Sequence, residues 1–525
     1  MKTKKVSISI FQILIFILIV IAIIIIIVAI VNNKNKHNNV SELEHQFVGT
    51  GTLEDPYRIE KIEDFVKLLT NISEGNSYKD IYFKLMNKLD FLDDASYLDI
   101  ISTTYGDLNQ DGNVTGIKNE LTTGNGIFGI INKYVEISDD GTIIHSFEGN
   151  FDGDNKQITN LQINLPVVNN QSYIGLFANN KGTISNLRII GNISTTNEMI
   201  ENTNMFIGML AGKNEGTIQS CKVEGSIKLS ENADSAKVLL GGLVGDNIGT
   251  ILNSSSSINI ESNCQKAGIT ARNIVDSNIS NSGNITNCSN NGEIIDESNR
   301  NIYTAGIVAE NNGILTSCTN NGKIVAKCVG GIACYSSGNI LVSQNTATVT
   351  NLEQNSTNDE KAGGIVAVLE NATIENCRNT GEVIGNNILG GIVSENSGNI
   401  VNCSNDASVS KFAETLDGSV NLGGIVGINH SIGKISNSKN SGQISSNSDN
   451  IVVLGGICGI LYNNSIVEYC ENKGTLIGQG KTITPNEDLT DKCISCSNTG
   501  GGNITQTQSG ELQVGVIYGK FEKEE

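Results

Sequence analysis

Tryptophan is absent from this 525-residue chain, and proline (3), histidine (4) and methionine (5) are scarce. Without Trp, the strongest aromatic platform for a sugar ring is missing. The four histidines, His37, His45, His145 and His430, form no His-Glu-x-x-His, which removes the zinc-peptidase motif. Basic residues are few as well: 35 Lys and Arg stand against 55 Asp and Glu, a net charge of −20. Nucleic-acid binding needs a basic footprint, so that class is set aside. The apolar share, 38%, is too low to fill one large globular core. Recurring Ile and Val with almost no Pro argue against disorder. Glycine is plentiful, at 57 residues. The combination describes something elongated, polar and repetitive.

One long hydrophobic run does occur. Residues from Ile10 to Val31 are apolar apart from Gln12, and about 20 such residues span a bilayer as a helix. Lys2, Lys4 and Lys5 precede the run, and no small-residue cleavage site follows it. The reading is an uncleaved transmembrane signal anchor over 10–31, with 1–9 cytoplasmic and the C-terminal region extracellular. Residues 32–47, polar and rich in Asn and Lys, read as a linker.

From about residue 174 one pattern returns: Gly-Gly-Ile-Val-x-x-Asn-x-Gly-x-Ile-x-Asn-Cys-x-Asn-x-Gly-x-Ile. Its leading glycines are Gly175, Gly208, Gly242, Gly268, Gly306, Gly331, Gly364, Gly391, Gly424 and Gly456, at intervals of 25 to 38 residues. Such periods mean a solenoid. Each unit holds three short β-branched segments between Asn- and Gly-rich corners, too short for helices. Three strands and three corners predict one turn of a right-handed parallel β-helix. The fold class is all-β, with about ten rungs over 174–480 and a degenerate last rung and tail over 481–525. The variable period is expected to be absorbed in surface loops such as 352–361 and 413–419.

Stacking aligns equivalent residues into columns. One column runs Leu187, Cys221, Ser254, Cys288, Cys318, Ser343, Cys377, Cys403, Ser438 and Cys470, with Cys496 a candidate for its next member. After the first member it holds only Cys or Ser, as a cramped interior corner would select. The spacing of these cysteines follows the repeat, so they read as buried thiols; vertical disulfides such as Cys288 with Cys318 stay open on distance alone. Cys493-Ile-Ser-Cys496 lacks the second pair of a zinc ribbon and the βαβ setting of a redox motif. A second column, Ile184, Ile218, Ile251, Ile285, Leu315, Ile340, Ile374, Ile400, Ile435 and Val467, is expected to form the core.

Residues 48–173 read as a small α+β cap leading into the β-helix. Ile62, Phe65, Val66 and Leu69 carry a helical period, and a helix over the open end would blunt the strand edge. Asp107, Asn109, Asp111, Asn113 and Thr115 lie at alternating positions of a calcium-loop spacing, with Gly112 at its turn. Lys118 stands where a bidentate acid belongs, so the competing reading is a plain polar loop. Asp152 and Asp154 flank Gly153 and read as a turn rather than an acid/base pair.

Gly-Gly-Ile-Val-Gly at 423–427, Gly-Gly-Leu-Val-Gly at 241–245 and the Asn-x-Gly corners resemble the GLUG-motif repeats of bacterial cell-surface proteins. The resemblance covers roughly 48–480. It implies a cell-surface β-helix, often in adhesins. Its occurrence beside IgA-cleaving zinc peptidases does not carry over, because the metal motif is missing. The functional expectation is a membrane-anchored, non-catalytic adhesin or envelope-contact rod. Its partners would be the membrane through 10–31 and a glycan, cell-wall or host-surface ligand. The alternative is a β-helix polysaccharide lyase or glycoside hydrolase. That reading rests on fold analogy, since the repeat acids Asp246, Asp276, Asp296, Asp406 and Asp449 form no recurring pair.

Overall fold

The computed structural model describes residues 47–91, 135–138, 141–165, 172–195, 204–229, 237–298, 300, 302–352, 360–411, 420–446, 452–483, 493–499, 502–515 and 518–522. The apolar run 10–31 and the candidate calcium loop, Asp107 to Thr115, lie outside them. So do most of the two expected insertion loops. Among the described residues no helix is long and apolar enough to cross a membrane.

The chain coils into a parallel β-solenoid. One rung shows the plan: Val420–Gly423, Val426–Asn429, Lys434–Ser436, Lys439–Asn440 and Ile444–Ser446. Each strand pairs in parallel with its counterparts in the rungs on either side. A rung therefore holds five short strands, not three. The two-residue strand Lys439–Asn440 is too short to show alternation, and its Asn reads locally as a turn. The solenoid also begins earlier than the repeat: Tyr57–Ile59 already pairs in parallel with Tyr82–Leu85, and Tyr82–Leu85 with Asn150–Asp152.

Helix α1, Ile62–Ser73, sits between those first two strands. The Asp64 carboxylate accepts the backbone N–H groups of Glu60 and Lys61, closing the helix start. Gly75, at φ +98°, follows the end, where a left-handed residue is needed. Ile62, Phe65, Val66 and Leu69 are all buried in the same core as the first rungs. The helix that the spacing of these four residues predicts is present.

The Ile column lies inside, with every member from Ile184 to Val467 at 0% exposure. Each Ile rests in register on the next, as Ile184 on Ile218 and Ile218 on Ile251. Burying such a side chain contributes about 1.5–3 kcal/mol. The Cys/Ser column is buried too from Leu187 to Cys470, and Cys496 is half-buried. Each member follows a left-handed residue at a corner: Asn186, Ser220, Asn253, Asn287, Ser317, Val342, Asn376, Asn402, Asn437, Tyr469 and Ser495, all at φ between +50° and +55°. Asn accepts this conformation most readily of the non-glycine residues. Val342 does not, because it is β-branched, and it is exposed. Val342→Asn is therefore expected to stabilise the protein by about 1 kcal/mol, read as a higher unfolding midpoint; a lower midpoint would contradict the strain argument.

Among the described residues ten cysteines are free and buried, Cys288 and Cys318 among them, so those two form no vertical disulfide. Cys496 continues the column, its Sγ 3.8 Å from the Val467 carbonyl, and is disulfide-bonded. Burial pushes the Cys221 thiol up to about 12 and the Cys318 and Cys470 thiols up to about 11. At pH 8 a thiol titrating near 11 is ionised to about one part in a thousand, and the thiolate is the nucleophile. Iodoacetamide should spare all ten thiols in the native reduced chain and label them after unfolding, counted by mass spectrometry. Native-state labelling of the column would mean the corner is open.

Asparagine does more than make corners. Asn290, Asn320, Asn345, Asn379, Asn405, Asn440, Asn472 and Asn498 stack, each Nδ2 donating to the next Oδ1 at 2.8–2.9 Å. A second ladder runs Asn180, Asn214, Asn247, Asn273, Asn311 and Ser336, and resumes at Asn396 and Asn429. All members but Asn498 are essentially fully buried. A sequence reading places Asn at the surface of turns; here the repeat lets one amide satisfy the next.

Candidate functional site

The first two strands of each rung meet at a glycine corner, and the corner creates an outer groove. Tyr303, Cys328, Lys361 and Ile388 face outward in register on the first strands. They lie over a column of small residues on the second strands: Ala309, Cys334, Ala367, Ser394, Gly427 and Gly459. The size limit is steric. A Cβ on Gly427 would stand 2.7 Å from Ile388 Cγ2. Two apolar clusters separate from the interior result. One joins Ala267, Ala305, Ala309, Cys328, Cys334 and Ala367, with Tyr303 and Val368 packed on it. The other joins Ile388, Ile428, Val453 and Ile460, with Tyr462 packed on it.

Aromatic and charged side chains edge this groove. Tyr173 stacks on Phe206 with centroids 4.8 Å apart, Tyr303 on Tyr335 at 5.8 Å, and His430 on Tyr462 at 5.5 Å. Arg272 lies 5.7 Å from the Phe206 ring centre and holds Asp246 through two hydrogen bonds of 2.9 and 3.0 Å. Such cation–ring contacts help position a guanidinium.

Along the outer edge of the second strands, a cleft of about 310 Å³ opens between Val368, Glu370, Glu395, Ser397, His430, Ser431 and Ile432. Parallel pairing builds it: Glu370 stands in register with Ser397, and Val368 with Glu395. The Tyr335 hydroxyl donates to Glu370 Oε2 at 2.6 Å. That carboxylate is the main reason the phenol is pushed up to about 12, so the phenol remains a donor near neutral pH. Lys361 Nζ lies 3.0 Å from Glu395 Oε2. Two held carboxylates, an imidazole and two hydroxyls thus converge between apolar walls. The set suits hydrogen bonding to a polar ligand with apolar faces.

The acids singled out in the repeat sequence are not gathered here. Asp246 belongs to Arg272, and Asp406 to Arg378 at 2.7 Å. Asp276 accepts the Asn278 N–H in a turn. Asp296 is buried and takes a 2.7 Å hydrogen bond from the Lys266 ammonium. Asp449 lies outside the described residues. Asp152 and Asp154 form the expected turn: Asp152 Oδ1 accepts the Asp154 N–H, and Lys156 and Lys84 hold the Asp154 carboxyl below its usual range. Among the described residues no group of three His, Cys, Asp or Glu side chains could hold a metal ion. Glu370, Glu395 and His430 were not legible together, because they lie on three different rungs. Of the three, only Glu395 borders an Asn-x-Gly corner, Asn396-Ser397-Gly398, so no shared local signal marks them.

No protein-family model, curated protein or solved structure matches this chain.

Proposed function

We propose that this chain is a non-catalytic binding rod of the cell boundary, anchored through 10–31, with its C-terminal region extracellular and GLUG-like repeats forming its shaft. The observation that carries the reading is the outer groove. Its aromatic pairs, held charges and cleft replace the plain Ile, Asn and Gly columns found elsewhere on the solenoid. A rigid repeat presents such a face over many rungs. Polysaccharide is the ligand class that matches the half-buried rings of Tyr303, Tyr335 and Tyr462 and the hydroxyl partners of the cleft. The net charge of −20 favours neutral or cationic polymers over acidic ones.

One observation favours the alternative of a glycoside hydrolase: the cleft brings Glu370 and Glu395 together from adjacent rungs. A glycosidase acid, however, is kept protonated by an apolar, unpaired setting, and Glu395 is paired with Lys361. The full chain should be tested on wall and host polysaccharides, with and without calcium, scoring retention and new reducing ends in the same samples. Retention without release is the expected result. Release would overturn the binding-rod reading, and neither retention nor release would remove the glycan ligand. Calcium dependence would give the Asp107–Thr115 loop a role.

A further inference from the structure

Cys328 and Cys334 stand out among the ten free cysteines. Their sulfurs are 3.2 Å apart, and the Cys334 thiol also donates to the Cys328 carbonyl at 3.3 Å. The contact follows from the repeat and is not a chance approach. The outward residue of a first strand and the small residue six positions later meet across the glycine corner in other rungs. Gln265 Nε2 donates to the Ala271 carbonyl, and Ser394 Oγ to the Ile388 carbonyl. In this rung alone both positions are cysteine. Both sit in the apolar floor of the groove, under Tyr303 and beside the Tyr303–Tyr335 stack.

We propose that Cys328 and Cys334 form an intramolecular disulfide when the chain meets a small-molecule disulfide, and that the interior column cysteines stay thiols. The bond would join the two faces of the groove at its floor. This assignment does not depend on the glycan-binding reading. The exchange has two steps. The Cys328 thiolate attacks one sulfur of the small disulfide, forming a mixed disulfide and releasing one small thiolate. The Cys334 sulfur then attacks the Cys328 sulfur, forming the protein disulfide and releasing the second small thiolate. The two thiol protons end on the two released thiols. The protein dithiol is oxidised by two electrons, and the small disulfide is reduced.

Geometry separates this pair from the column. The column sulfurs Cys221, Cys288, Cys318, Cys377, Cys403 and Cys470 each face a backbone carbonyl of the interior corner, and Cys377 also meets the Cys403 thiol, which makes that pair the internal comparison. Cys328 and Cys334 face each other on the outer side of the sheet. Both are at most 2% exposed, so oxidation is expected to be fast while the rung folds and slow once it has closed.

The test is refolding of the full reduced chain in a glutathione redox buffer. Quenching with an alkylating reagent and non-reducing peptide mapping follow. The expected product has lost two hydrogens, with Cys328 joined to Cys334 and the column cysteines alkylated. Cys334→Ser should abolish the bridge and leave a glutathione adduct on Cys328. The mapping of the unsubstituted chain decides the matter even if that variant fails to fold. Alkylation of both residues in the refolded chain, or a bridge between Cys377 and Cys403 instead, would overturn the proposal.

Discussion

Asp296→Ala is expected to destabilise its part of the solenoid by about 3–5 kcal/mol, the cost of leaving a buried charge without its partner. Lys266 occupies an interior position, in register with Leu240 below and Thr304 above, and is 0% exposed. Its ammonium donates to the Ser262 carbonyl at 2.7 Å, the Cys264 carbonyl at 3.1 Å and Asp296 Oδ2 at 2.7 Å. The Ser298 N–H holds Asp296 Oδ1 at 2.8 Å. Removing the carboxylate leaves the cation with two neutral carbonyls in a dry interior. The double variant Lys266→Met, Asp296→Leu should recover most of the loss, because apolar side chains replace the pair without an unpaired charge. Neighbour-coupled repeats need not unfold in one step. Hydrogen exchange over 261–298 is therefore the measurement, with global unfolding as a second readout. A double variant as unstable as Asp296→Ala would show that packing, not charge, sets the cost.

Asn345→Ala should be the next most damaging change, at about 2–4 kcal/mol. Asn345 Oδ1 accepts from Asn320 Nδ2 at 2.8 Å, while its own Nδ2 donates to Asn379 Oδ1 at 2.8 Å and to the Ala347 carbonyl at 2.8 Å. Truncation takes one partner from each neighbour: one Asn320 Nδ2–H loses its acceptor while the other keeps the Gly322 carbonyl, and Asn379 Oδ1 keeps only the Gly381 N–H. Each buried orphan costs about 1–3 kcal/mol. Asn345→Asp keeps the shape but aims a carboxylate at two acceptors, so it should be no milder than alanine. Unfolding in urea would check both. An Asp variant near wild-type stability would mean the ladder amides are not directional donors.

Much of the fold was legible before any coordinates. The Ile column, the Cys/Ser column and helix α1 all occupy the places their spacing implied. Each is a local signal: one side chain per rung that must be apolar, small, or on one helical face. The fivefold division of the rung was not legible, because two-residue strands such as Lys439–Asn440 carry no periodicity. The burial of asparagine was not legible for a related reason. Asn is a turn residue by local preference, and only a partner 25 to 35 residues away turns it into a satisfied core residue.

The amino-acid order by itself determined that this chain forms a solenoid, because a repeated unit with one apolar face can bury that face only against its own copies. It also determined which columns are apolar and which corners are tight. The tertiary structure decided which side chains meet across corners and between rungs. Lys266 found Asp296, Cys328 met Cys334, and Glu370, Glu395 and His430 came to share one cleft. Those meetings depend on the register of parallel strands and on the length of each intervening loop. Neither is written in the residues that meet.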